Sequence, residues 1–281
     1  MTLARELFDH MVRYRRLRRF TALGARRFAA ARTYRRHAVA QLRRQSPPGP
    51  GWDEIAGFRI RHLGAEWMRY LYREVFAQQM YWFSSTSRTP EILDCGGNIG
   101  MSTLFFKALY PDAHVSVFEP APWACEAMEQ TFRANGIAGV TVHNVALAER
   151  DGRATLHHDT DDPGSALMST TAGFALAATS TVPAVRLSAY VDGPVDFMKV
   201  DIEGDEMGVL REMAEADKLR FVQQIALEYH HHLNPADDKL AECLALLEQQ
   251  GFGYQLIGQV YTPITRGQFQ GLMIHAYRKQ H

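Results

Sequence analysis

From Glu91 onward short apolar runs alternate with longer amphipathic segments, and this alternation leaves few folds open. Ile92-Leu93-Asp94-Cys95 reads as a strand, Met101 to Tyr110 as a helix stopped by Pro111, and His114 to Phe118 as a second strand. Pro122 to Asn135 is a helix with proline near its start, and Val140 to Val145 a third strand. After a longer excursion come Val195 to Val200 as strand, Asp205 to Ala216 as helix, Val222 to Glu228 as strand and Ala236 to Gln250 as helix. Tyr254 to Tyr261 and Leu272 to Tyr277, with a turn near Arg266-Gly267, close the chain as a hairpin. The pattern predicts an α/β fold: a doubly wound, Rossmann-like sheet, mostly parallel with an antiparallel C-terminal hairpin strand, preceded by an N-terminal helical arm. In such sheets ligands sit at the carboxyl ends of the strands, so the residues at and just after those ends carry the chemistry.

The arm differs in composition from everything after it. Residues 1–45 hold thirteen Arg, no Lys and only Glu6 and Asp9 as acids, a net +11 that the remaining −11 cancels over the 281 residues. Leu3, Leu7, Met11, Tyr14, Leu17 and Phe20 recur at spacings of three and four, which predicts an amphipathic helix with an arginine-rich face. Charge packed this densely calls for an anion: the acidic body of a second copy in a homo-oligomer, an anionic membrane surface, or an acidic carrier protein, with nucleic acid the weakest match. Ser46-Pro47-Pro48-Gly49-Pro50-Gly51 breaks helix and strand alike and divides the chain into an arm and linker, 1–50, and a folded domain, 51–281. Beyond it Phe58 to His62 reads as a short strand and Glu66 to Phe83 as a helix. Apolar stretches fall short of the roughly 20 residues that span a bilayer. Cys95, Cys125 and Cys243 form no C-x-x-C pair, which predicts a reducing, cytoplasmic setting and no structural zinc.

The first strand of the alternating region runs into Asp94-Cys95-Gly96-Gly97-Asn98-Ile99-Gly100 and a helix. Its glycines let the backbone turn tightly and approach a ligand, but the spacing is not the G-x-G-x-x-G of dinucleotide sites. Glu119 ends the second strand in Phe118-Glu119-Pro120, where a carboxylate can accept both hydroxyls of a ribose. An acid before the loop, a loop with Asn98 at its apex, and an acid at the next strand end together suit a nucleoside with an amino-acid tail, S-adenosylmethionine. Asp94, Gly96, Asn98, Gly100 and Glu119 are the expected cofactor residues, Asp94 for the amino group and Glu119 for the ribose, with Asn144 at the third strand end for the adenine edge.

These motifs, with Asn144-Val145-Ala146-Leu147, Asp151-Gly152 and above all Lys199-Val200-Asp201-Ile202-Glu203-Gly204, resemble the FkbM-type S-adenosylmethionine-dependent methyltransferases over roughly residues 65 to 280. Arg73-Glu74-Val75-Phe76 to Tyr81 is similar to the helix leading into that domain. Gly97 stands where the family usually has Ala, and Leu187-Ser188-Ala189 where Leu-Asp-Asp is common. The resemblance implies a methyltransferase sheet and methyl transfer, usually to a hydroxyl of a small natural product or sugar, the small-molecule acceptor.

Asp201 and Glu203 follow the fourth strand of the series, and Glu228 and His230 the fifth. Alternation puts each pair on one side of its strand, so the four are expected to converge. They can serve as a general base with an orienting carboxylate, with Asp201 and His230 moving the proton, or they can hold a divalent cation such as Mg. His157-His158-Asp159, with Asp161 and Asp162, lacks fixed ligand spacing and reads as a solvated loop. The Ser-, Thr- and Gly-rich stretch from Gly164 to Thr181 reads as a lid over the substrate. Three other classes stay open at this level: N-methylation on the same fold, a nicotinamide-dependent oxidoreductase, and a non-catalytic binding module working through the arm.

Overall fold

The computed structural model describes residues 49–160, 165, 168–171, 178–232, 239–258 and 269–279; the expected arm, the hairpin turn and half of the expected lid lie outside the described residues. The chain opens with an antiparallel pair, β1 (Gly51–Ile55) and β2 (Phe58–His62), and then α1 (Ala65–Tyr72). The central sheet is built from β3 (Glu91–Cys95), β4 (His114–Phe118), β5 (Val140–His143), β9 (Val195–Val200), β10 (Val222–His231), β11 (Phe252–Gly258) and β12 (Gln270–Arg278). Its order is β11-β12-β10-β9-β3-β4-β5, parallel from β10 through β5, with β12 antiparallel to both of its neighbours. Strand order reverses between β3 and β9, and a crevice opens there at the carboxyl ends.

Helices α2 (Met101–Leu109), α3 (Pro122–Ala134), α4 (Glu206–Glu215) and α5 (Leu240–Gln249) cover the sheet. One core cluster holds Phe105, Phe106, Val115, Val117 and Met128; a second holds Met198, Val200, Leu210, Ile225 and Leu247. Because β3, β9 and β10 are covered on both sides, their buried residues run consecutively rather than alternating: 92–95 in β3, 197–200 in β9 and 225–227 in β10. Among the described residues no helix is long and apolar enough to cross a membrane.

Three departures from the expected elements bear on the site. The helix expected over Glu66 to Phe83 is α-helical only to Tyr72; Arg73–Gln78 is a turn of π-helix, closed at Gln79 in the left-handed region (φ 57°). Strand β10 runs on to His231, so Glu228 and His230 lie within it rather than after it. The excursion after β5 is not all loop: β6 (Ala146–Leu147), β7 (Gly152–His158) and β8 (Ala178–Val185) form a separate three-stranded sheet in the order β6-β8-β7. His158 is buried at the end of β7, with Nε2 2.9 Å from Ser180 Oγ, which corrects the solvated-loop expectation for that residue.

Candidate active site

The glycine loop leaves β3 and folds back on two strand ends. The N–H groups of Gly96 and Gly97 donate to Phe118 O at 2.9 and 3.1 Å, and Asp201 N–H donates to Cys95 O at 3.1 Å. Gly96 has φ +87°, and a Cβ there would stand 1.7 Å from the backbone oxygen of Asp201; no other residue type fits. A Cβ at Gly97 would lie 2.3 Å from Val117 Cγ1, so glycine replaces the usual alanine where the loop packs tightly on β4. At Gly100 the added atom would meet Met128 and Phe132 of α3. Gly100 therefore seats the helix instead of touching a ligand, which corrects its expected cofactor role.

Glu119 is where the sequence placed it. Its carboxylate accepts the N–H of Asn98 at 2.8 Å and of Ala121 at 2.9 Å, tying the loop apex to the end of β4. Burial pushes its carboxyl up to about 7, against the pull of those two hydrogen bonds. Gly96, Asn98 and Glu119 border a cleft whose apolar side includes Phe118, Val145, Leu147 and Leu156. Asp94 and Asn144 do not border it. Asp94 is fully buried and accepts Ser102 Oγ at 2.7 Å and Thr103 Oγ1 at 2.6 Å, so it anchors the start of α2. The Asn144 amide donates to Glu119 O and Pro120 O, at 2.9 and 3.0 Å, and braces the strand end. An acid beside an open glycine loop, with an apolar slot next to it, fits the ribose and flat base of S-adenosylmethionine.

The other end of the cleft is acidic. Asp201, Glu203 and Glu228 border it together with Tyr81, Glu74 and Lys199, so the expected convergence of acids occurs. Lys199 Nζ lies 3.2 Å from Asp201 Oδ2 and 3.7 Å from Asp94 Oδ1, and donates to Gly96 O at 2.7 Å. The Tyr81 hydroxyl donates to Asp201 Oδ2 at 2.9 Å, with Glu228 Oε2 at 3.3 Å. For Asp201 burial favours the neutral acid, but Lys199 and then His230 outweigh it and hold the carboxyl below the usual range. Glu228 goes the other way: burial and then the Asp201 charge push it up to about 8.

His230 is the main correction. It does not border the cleft; Nδ1 lies 2.7 Å from Glu206 Oε1 and Nε2 3.0 Å from Glu203 Oε2. Burial favours the neutral ring, yet Glu206 and Glu203 outweigh it and keep the imidazole protonated well above its usual range. Flanked by carboxylates on both nitrogens, it has no lone pair for a substrate proton and acts as a brace for Glu203. Glu203 itself sits at φ +60°, strained for a residue with a side chain, and is not a helix cap; α4 begins at Glu206. Ligand atoms of Asp201, Glu203 and His230 do lie within 4.8 Å of one another. With both His230 nitrogens engaged and Asp201 Oδ2 shared by Lys199 and Tyr81, that donor set does not fit a divalent cation.

Sequence reasoning missed Tyr81, Glu206 and Glu74. Glu206 follows the glutamate-glycine motif by two residues, and its place in the first turn of a helix beside the sheet end was a usable signal.

Residues 94–254, more than half of the chain, match the methyltransferase FkbM domain. Methyltransferase 1 of Beauveria bassiana is 27% identical over 211 residues, covering 66% of this chain and 81% of that one. Methyltransferase sdnD of Sordaria araneosa is 26% identical over 232 residues, covering 71% and 86%. The 31-O-demethyl-FK506 methyltransferase FkbM of Streptomyces tacrolimicus is 27% identical over 229 residues, covering 70% and 86%.

Proposed function

The chain belongs to the methyltransferase FkbM family and is an S-adenosylmethionine-dependent methyltransferase; on that premise we propose that it methylates a hydroxyl of a small natural product or sugar, with Glu228 as the general base. The observation that carries this reading is the two-ended cleft, in which the Asn98–Glu119 pair lies at one end and Glu228, its carboxyl held near 8, at the other. When bound, S-adenosylmethionine supplies a methyl group on a sulfonium, which departs as a thioether as the acceptor oxygen takes the methyl.

The protein positions that oxygen, takes its proton and keeps water away. An alcohol is a poor nucleophile until its proton has somewhere to go, and the ionised Glu228 carboxylate receives it. Asp201 is the weaker base of the pair, since Lys199 and Tyr81 already stabilise its charge. Oxygen as the acceptor atom is supported by this need for a base and by the O-methylation named for the Streptomyces relative. The carbon shift of the transferred methyl separates O–CH₃ from N–CH₃ in the product. The buried, unpaired cysteines support a reducing, cytoplasmic setting.

Calorimetric titration is expected to show S-adenosylhomocysteine binding and no NAD binding, and Glu119→Ala to weaken the former at least about tenfold. A charge-assisted contact of about 1.5–3 kcal/mol is lost with that carboxylate. An unchanged dissociation constant in the folded variant would remove Glu119 from the cofactor site. Exhaustive chelation is expected to leave turnover intact. Loss on chelation with recovery on adding Mg²⁺ would instead return Asp201 and Glu203 to the role of metal ligands.

A further inference from the structure

We propose that Glu74 selects the acceptor, and that the acceptor is a hydroxyl compound bearing a protonated amine whose ammonium docks on the Glu74 carboxylate. The proposal rests on the methyl-transfer reading of the cleft and adds the class of molecule it takes.

Glu74 is 5% exposed, yet it borders the cleft, on the wall made by α1 and the π-helical turn. That wall is rigid. The Glu74 carbonyl accepts N–H groups from both Gln79 and Met80, the Phe76 ring packs edge-on against Phe105 at 5.4 Å, and Phe83 stacks on Phe197 at 4.3 Å. The widened π-turn and the left-handed Gln79 that closes it cost conformational energy, and such turns recur at functional sites. Here the outcome is a buried carboxyl turned to the cleft, fixed before any ligand arrives.

Charge decides what it takes. Lys199 lies between Asp94 and Asp201, and His230 between Glu203 and Glu206, so each of these buried cations already serves two carboxylates. Arg73, itself 39% exposed, reaches Glu74 Oε1 only at 4.0 Å. The Tyr70 hydroxyl donates to Glu74 but brings no positive charge. Glu74 and Glu228 therefore border the cleft as acid in excess of cation, and burial, opposed by the Tyr70 hydrogen bond and helped by Asp201, pushes the Glu74 carboxyl up to about 7. An anionic acceptor such as a phosphate or carboxylate would be repelled there, and with a neutral one the excess would be matched only by the cofactor's own cations, of which transfer removes the sulfonium. An ammonium matches it, and does so through the reaction: methyl transfer removes the sulfonium charge while the acceptor's own cation stays in place.

The test uses the full chain saturated with S-adenosylhomocysteine and the matched probes D-glucosamine and D-glucose, with affinities read by calorimetry in both proteins and the Glu74 side chain followed through the ¹³C carboxyl signal that Glu74→Gln removes. Glucosamine is expected to shift that signal saturably, with affinity about tenfold or more above glucose. In Glu74→Gln the two sugars should bind alike while S-adenosylhomocysteine binds as before. Equal binding of the two sugars to the unsubstituted protein, no shift with either, or an amine preference that survives Glu74→Gln would each overturn the proposal. Failure of S-adenosylhomocysteine itself to bind is a separate result, which would overturn the cofactor reading beneath it.

Discussion

Glu228→Gln is expected to lower turnover by about 10² to 10⁴, the usual loss for a positioned general base, while leaving S-adenosylhomocysteine affinity unchanged. The substitution keeps shape and the capacity to accept from Tyr81, and removes only the charge that receives the proton. Because the unsubstituted carboxyl is held up at about 8 by burial and then by Asp201, its ionised fraction grows as pH rises, and kcat/KM should rise through that region and then level off. In the Gln variant this limb should vanish. Asp201→Asn is the informative comparison: Asp201 is held ionised below the usual carboxylate range, so its loss should lower the rate without removing the pH limb. A pH limb that persists in Glu228→Gln and vanishes in Asp201→Asn would exchange the two roles.

Of the expected cofactor residues, Gly96, Asn98 and Glu119 border the cleft and were legible because they are local, whereas Asp94, Gly100 and Asn144 sit at the same strand and helix ends but brace the fold instead. The glycine loop and Glu119 sit at ends of strands that announce themselves as apolar runs, and alternation alone brings Asp201 and Glu203 near Glu228. What those residues do was less legible, because it depends on partners far away in the chain. Tyr81 meets Asp201 across 120 residues and Glu228 across 147, and no pattern near Tyr81 records either contact. The role of His230 reversed for the same reason: as a lone histidine at a strand end it resembles a base, and only Glu206 on α4 and Glu203 beside it make it a fixed cation. Glu74 escaped because the spacing of Trp67, Leu71 and Val75 continues an α-helical period through what is a π-turn. The sheet of β6, β7 and β8 escaped because its strands carry Thr, Ser, His and Arg in place of a clear apolar face.

Lys199→Met is expected to destabilise the fold by about 3–5 kcal/mol, the cost of removing one partner from a buried ion cluster. Lys199 is 2% exposed, and burial alone would favour its neutral form; Asp201 and then Asp94 outweigh that and keep it charged. Without it Asp94 has no counter-ion among the described residues and Asp201 keeps only the His230 imidazolium, already held between Glu203 and Glu206, and the loop loses the bond to Gly96 O that holds it against β9. The pH dependence has a definite sign. In the variant, both carboxyls should be harder to ionise in the folded chain than in the unfolded one, so the folded state holds more protons and the stability deficit grows as pH rises from about 4. As pH falls below that, the acids are neutral in both states and the charge part of the deficit disappears, leaving the loss of packing and of the Gly96 bond. Urea denaturation at about pH 5 and about pH 8 reads this directly through the midpoint. A deficit that is equal at the two pH values, or larger at the lower one, would mean that Lys199 holds the loop by hydrogen bonding and packing, and that the charges of Asp94 and Asp201 are balanced elsewhere.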